Sequence, residues 1–289
     1  MWIMRIGVSS FLCFASTVCL FLVQPHRRLV QPGQSYQTQE QIQAQDALYQ
    51  GVEAYKKGHY EEAIQQFSRA KQLDPQLIEA RLYLATTYAS QYIPGAPSEE
   101  NQQKGEAAIA EFRELLKTQP GNLTAIDGIG SLLFQMAGQP FDADKFAESK
   151  SFHREHITLR LQDPEPYYWV AVIDWTLSFL ADRELRAGFN QHARGDEQLG
   201  AADSLPASLR EQYRQEYGAV IGEGIESLKH AIELRADYDD AMAYLNLLYR
   251  RKADALAYES ERAELTAIAD EWLDKLKEIK QKRLERQPQ

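Results

Sequence analysis

The chain has 289 residues, 44% of them hydrophobic and 26% charged, with a formal net charge of −10. That balance fits a folded protein rather than a disordered one, and the acidity argues against nucleic acid, whose phosphates select clustered Lys and Arg. The first 28 residues hold Arg5, Arg27 and Arg28 and no acid, so the remainder carries 29 basic against 42 acidic side chains. Both cysteines, Cys13 and Cys19, lie in the N-terminal stretch, leaving no thiol elsewhere for a disulfide, a Cys-ligated metal or a nucleophile.

Residues 6–23 run without a charge behind Arg5, the pattern of an export signal, and 18 residues also border on a short membrane anchor. Residues 1–23 are therefore expected to be a signal peptide or a membrane anchor. No small-x-small cleavage site decides between the two. Lipidation of Cys19 is disfavoured, because Ser16-Thr17-Val18 lacks the leucine and small final residue that such a site needs. Residues 24–45, with Gln at 31, 34, 37, 39, 41, 43 and 45, read as a polar linker whose last part is a fraying helix start.

From residue 46 the apolar spacing becomes helical. Ala47, Gly51, Ala54 and Tyr55 share one face of a first helix, which Gly58 ends. Tyr60, Ala63, Ile64, Phe67, Ala70 and Leu73 stripe a second, closed by Pro75. Gly51, Ala63 and Ala70 are small enough to let the two helices approach closely. A second pair follows, with Leu84, Ala85 and Tyr88, then Ala108, Ile109, Phe112 and Leu115 up to Pro120. Ile129, Gly130 and Leu133 open a third.

These residues resemble the tetratricopeptide repeat family. The match to its 34-residue pattern is close over 44–77 and looser towards 286. Phe152 departs from it, standing where a small residue is expected. Tyr167-Tyr168-Trp169, Ile173 and Trp175 open a fourth unit, and its second helix, with Ile225, Leu228 and Ala231, comes some 40 residues later. A helix over 241–249 and a charged, amphipathic end helix with Leu265, Ile268, Trp272 and Leu276 close the chain. The resemblance implies an all-α fold: an α-solenoid of about five helix pairs over 46–289 with a C-terminal capping helix. Insertions are expected at 91–104, 137–144 and 183–206, the last a long loop before a long helix from about Ala207 to Arg235.

No catalytic or metal-binding arrangement emerges from the residues. His153 and His156 lie one helical turn apart, but zinc needs a third or fourth ligand and none is evident. Asp142-Ala-Asp144 lacks the Gly and distal Glu of a calcium loop and reads as a turn and helix cap. Gly128-Ile-Gly130 and the Gly218, Gly222, Gly224 run follow no strand and precede no Lys-Ser/Thr, so they are no phosphate loops. Gly130 and Gly224 fall where the repeat needs a small packing residue. No enzyme activity, cofactor or metal is expected.

The resemblance also implies a groove lined by the first helix of each unit. Carried onto this sequence, it comprises Leu48, Val52 and Tyr55, then Leu82 and Thr86, then Phe134. Tyr168, Trp175, Leu247 and Arg250 complete it. Leu48 and Val52 occupy the places where the family's carboxylate-clamping members carry Lys and Asn, so an apolar-anchored peptide or helix is the expected ligand. The expected function is a protein-interaction scaffold or assembly adaptor of the bacterial cell envelope. Its body would lie in the periplasm or outside the cytoplasm on an inner-membrane anchor. The alternative is a small-ligand or glycan-binding protein with an aromatic pocket near 183–206.

Overall fold

The computed structural model describes residues 37–286 apart from Gln139 and Ala202. The expected signal or anchor segment, and the linker up to residue 36, lie outside the described residues. Among those described there are ten α-helices, and none is long and apolar enough to cross a membrane. They divide into two compact units, residues 1–118 and 119–289.

The first unit contains α1 (Gln39–Lys56), α2 (Tyr60–Leu73), α3 (Ile78–Gln91) and α4 (Glu99–Thr118). The helix begins inside the expected linker because Thr38 and Gln41 cap each other reciprocally. The Gln41 N–H donates to Thr38 Oγ1 at 3.2 Å and the Thr38 N–H to Gln41 Oε1 at 2.9 Å. Two orphan amides are thus satisfied just where glutamines, good helix formers, take over. The Gly58 turn adopts φ +75°, and α1 and α2 then meet at Gly51, where a Cβ would stand 2.5 Å from the Phe67 ring. Ala63 and Ala70 are fully buried opposite, so the small residues set the interhelical distance as expected.

Each helix packs on the next, and α1 also packs on α3. That is the stacking of an α-solenoid: pairs side by side, first helices against first helices. The core is Ala44, Ala47, Leu48, Ala54, Ala63, Phe67, Ala70, Leu77, Ala80 and Leu84. The expected insertion at 91–104 shortens to residues 92–98, since 99–104 already belong to α4. Asn101 holds this connection: it accepts from the Ile93 N–H at 2.7 Å and donates to the carbonyls of Ile93 and Ala96.

The second unit contains α5 (Leu123–Met136), α6 (Ala143–Leu159), α7 (Pro164–Asn190), α8 (Ala207–Leu234), α9 (Asp239–Asp254) and α10 (Glu259–Arg286). Asn122, Asp142 and Asp163 cap α5, α6 and α7 through their side chains, and Pro164 starts α7. Asp142 is thus the helix cap anticipated, and Ala143 and Asp144 of the expected 137–144 insertion lie inside α6. Sequential helices again pack together, and α7 also packs on α9.

Two further expectations are corrected here. The small residue of α6 is Ser149, which is buried and donates to the Gly130 carbonyl at 2.7 Å; Phe152, three positions on, is half-buried. The 183–206 insertion is a loop only from 191, because α7 continues to Asn190. Arg186 sustains that extension. Its Nε donates to Asp182 at 3.0 Å and its Nη1 to the carbonyls of Gly200 and Asp203, tying the loop back onto the helix. Asn190 grips both backbone groups of Leu199, and Leu205 is buried in the core.

Candidate partner-binding surface

In the first unit the expected groove residues divide by burial. Leu48 is part of the core, whereas Val52 and Tyr55 are half-buried on its margin, Tyr55 packing edge-on against Tyr60 at 5.5 Å. Leu82 and Thr86 of α3 are also half-buried; the Thr86 hydroxyl donates to the Leu82 carbonyl within the helix, at 2.9 Å. Leu48 is therefore no free lining group, because α1 turns it onto its neighbours.

In the second unit the first helices of successive pairs carry a continuous row of rings. Centroids are separated by 5.2 Å from Tyr238 to Tyr168, 5.6 Å from Tyr168 to Tyr244, 5.3 Å from Tyr244 to Trp175 and 5.1 Å from Trp175 to Phe179. Most meet edge-on or tilted, which the ring quadrupoles favour; Trp175 and Phe179 stack. Arg183 and Arg251 approach the Phe179 ring at 5.8 and 5.9 Å. A branch runs from Tyr168 through Trp169 to Phe134 and Phe146.

Burial divides this row too. Phe134, Tyr168 and Tyr238 are core, whereas Trp175, Phe179 and Tyr244 keep part of their surface in solvent. Phe134 and Tyr168 thus act in folding, because rings on three neighbouring elements cover them. Leu247 is half-buried. Arg250 is committed elsewhere: it pairs with Asp270 of α10, beside Asn246, which donates to the Ala269 carbonyl. The seam between α9 and α10 uses it. Phe179 and Tyr244 went unread in the sequence, although Phe179 follows Trp175 at helical i,i+4 spacing and shares its face.

Charge is buried behind this row. Lys150 of α6 bonds Asp174 of α7 and, at 2.8 Å, Glu223 of α8, which also takes Arg154. Burial pushes the Asp174 carboxyl up to about 7 against the pull of Lys150, while Glu223, also desolvated, is held below its ordinary value by Lys150 and Arg154. A Cβ at Gly224 would stand 2.8 Å from Leu248 and 3.1 Å from Asp174, and one at Gly130 would stand 3.0 Å from His153. Both glycines are packing residues.

His153 is buried, stacked on Trp169, and desolvation lowers it to about 3; His156 instead faces Asp127 and Asp163. The two imidazoles do not converge. Among the described residues no three His, Cys, Asp or Glu side chains are grouped to hold a metal. An open cleft of about 520 Å³ lies at the α6–α7 turn, lined by Leu159 to Pro164, away from the inserted loop.

The helix pairs stack through small residues with first helices side by side, and residues 51–91 match the family model for the TPR repeat. Among solved structures, the chain is similar to a crystal structure of MamA, at 14% identity over 86% of this chain and 97% of that one, with a TM-score of 0.56. It is likewise similar to MamA from residue 41 onward of Desulfovibrio magneticus RS-1, at 14% identity, 83% and 96% coverage and a TM-score of 0.53. At that identity the likeness is one of fold. No curated protein sequence matches the chain.

Proposed function

We propose that this protein is a non-enzymatic interaction scaffold that binds a peptide or helix of a partner protein through apolar anchors on the first-helix face of its second unit. The observation that carries the reading is the half-buried group of Trp175, Phe179 and Tyr244. Large rings left partly in water, on the face that repeat proteins of this class use for ligands, are rigid, low-entropy anchors for a partner. Val52, Tyr55, Leu82 and Thr86 supply a comparable but smaller face in the first unit. Export by residues 1–23, with action in the bacterial envelope, belongs to the same proposal and rests on the charge-free run 6–23. An uncleaved segment would add membrane attachment.

A paired measurement tests the surface. A photo-crosslinking residue at Phe179 should capture a partner from envelope extract, and Trp175→Ala should weaken that capture by about 30-fold, an anchor loss of about 2 kcal/mol. Thermal unfolding of Trp175→Ala should shift far less than that of Tyr168→Ala, which removes a core ring. If capture falls only in proportion to unfolding, Trp175 is core and the surface assignment fails. For localisation, protease added to spheroplasts should digest the body while cytosolic controls survive; protection of the body would sink the export reading.

A further inference from the structure

His156 of α6 is buried with a carboxylate at each end of its ring. Nδ1 hydrogen-bonds Asp127 Oδ1 on α5 at 2.7 Å, and Nε2, which has no hydrogen-bond partner, lies within ion-pair distance, 3.4 Å, of Asp163 Oδ2 at the turn into α7. Asp163 is also the N-cap of α7, its Oδ1 accepting from the Glu165 N–H at 3.0 Å. A neutral imidazole has one N–H. It could serve one carboxylate and would turn a lone pair towards the other. Imidazolium keeps the hydrogen bond to Asp127 and turns a positively charged N–H, not a lone pair, towards Asp163. We propose that His156 is a proton-operated latch: charged, it clamps α5 and the first turn of α7 onto α6, and loss of its proton releases that junction.

The surroundings agree with the assignment. Asp127 faces the ring from α5 and Asp163 from the α6–α7 turn, Arg160 at the C-cap of α6 weighs against the charge, and His153, one turn back on α6, is held neutral by burial. Glu165 of α7 is turned away to Arg235 and Tyr238. Burial pushes His156 down, but the two carboxylates more than offset it and hold the group above the ordinary histidine value. Its folded-state affinity for the proton exceeds the unfolded one. The stability it contributes is therefore full below about pH 6.5 and lost as pH rises through the folded value.

The test is a histidine NMR titration of the full chain, with the His156 signal assigned by its loss in His156→Gln. Asp127→Asn and Asp163→Asn are titrated alongside; Asn remains a good N-cap, so the second removes charge rather than capping. The expected midpoint for His156 lies above about 6.5 and falls in both variants. Exchange of amides in the first turn of α7, corrected for intrinsic rate, should quicken through that midpoint in the wild type and stay level in His156→Gln. A midpoint at or below the free value, a midpoint moved by neither substitution, or amide protection indifferent to the titration would each overturn the latch.

Discussion

His153 and His156 stand one turn apart on α6, yet the protein lowers the proton affinity of the first and raises that of the second. His153 lies against Trp169 beside Gly130, both ring nitrogens buried without a hydrogen-bond partner. Only the uncharged ring tolerates that site. Its folded value of about 3 lies below the unfolded one near 6.5. The unfolded chain therefore binds the extra proton between them, and stability from His153 is full above about pH 6.5 and lost as pH falls towards 3. His156, charged in both states over that acid range, stays level there. Replacing His153 with Phe keeps an aromatic ring on Trp169 and removes the titration. Denaturant unfolding at pH 7.5 and 5.0 should show the wild type losing about 2 kcal/mol more than His153→Phe, from ~1.4 kcal/mol per pH unit over the window below 6.5. Equal losses would mean that water reaches His153.

At the scale of elements, small residues and buried amides decide how closely helices meet and how connections run. Ala63, fully buried where α2 meets α1, has no room for four carbons, so Ala63→Leu should cost about 1–3 kcal/mol. A melting temperature unchanged within error would show that the pair is not packed in this register. Asn101 spends three hydrogen bonds on two residues of the 92–98 connection. Asn101→Ala should cost about 1–3 kcal/mol and speed exchange of the Ile93 amide, whose acceptor is gone. If that amide is no less protected, another group holds the turn. Arg186 serves the longer loop in the same manner, and the reach of α7 to Asn190 was hidden in the sequence because the contacts that extend it are not local. The helix is extended by an ion pair with Asp182 and by carbonyls 14 and 17 residues away.

For the whole molecule, among the described residues one buried apolar cluster lies within residues 44–84 and another within 134–269, and buried residues between them, such as Phe112 and Ile129, belong to neither. The second holds the larger aromatic set and the buried ion network, so residues 119–289 should fold as an isolated fragment with one cooperative unfolding transition. A fragment without dispersed amide signals would show that the second unit depends on the first. In the ion network, Lys150→Met should destabilise the fragment by about 3–5 kcal/mol, since it leaves Asp174 buried without its cation. Unfolding of the two fragments by denaturant measures both.

Periodicity and punctuation in the sequence determined the helical class, the α1–α2 pair, the small residues at its contact, Asp142 as a cap and the long α8. Each of these depends on residues within one or two turns of one another. Tertiary structure alone decided which expected groove residues face solvent. Leu48, Phe134 and Tyr168 were drawn into the cores, and Arg250 was drawn to Asp270 on α10. It also brought Phe179 and Tyr244 beside Trp175, and joined Lys150 to Glu223 across 73 residues of chain. A helix can present the same side chain to a neighbour or to water. The choice depends on which other helix the stack lays against it, a contact made by residues far away in the chain.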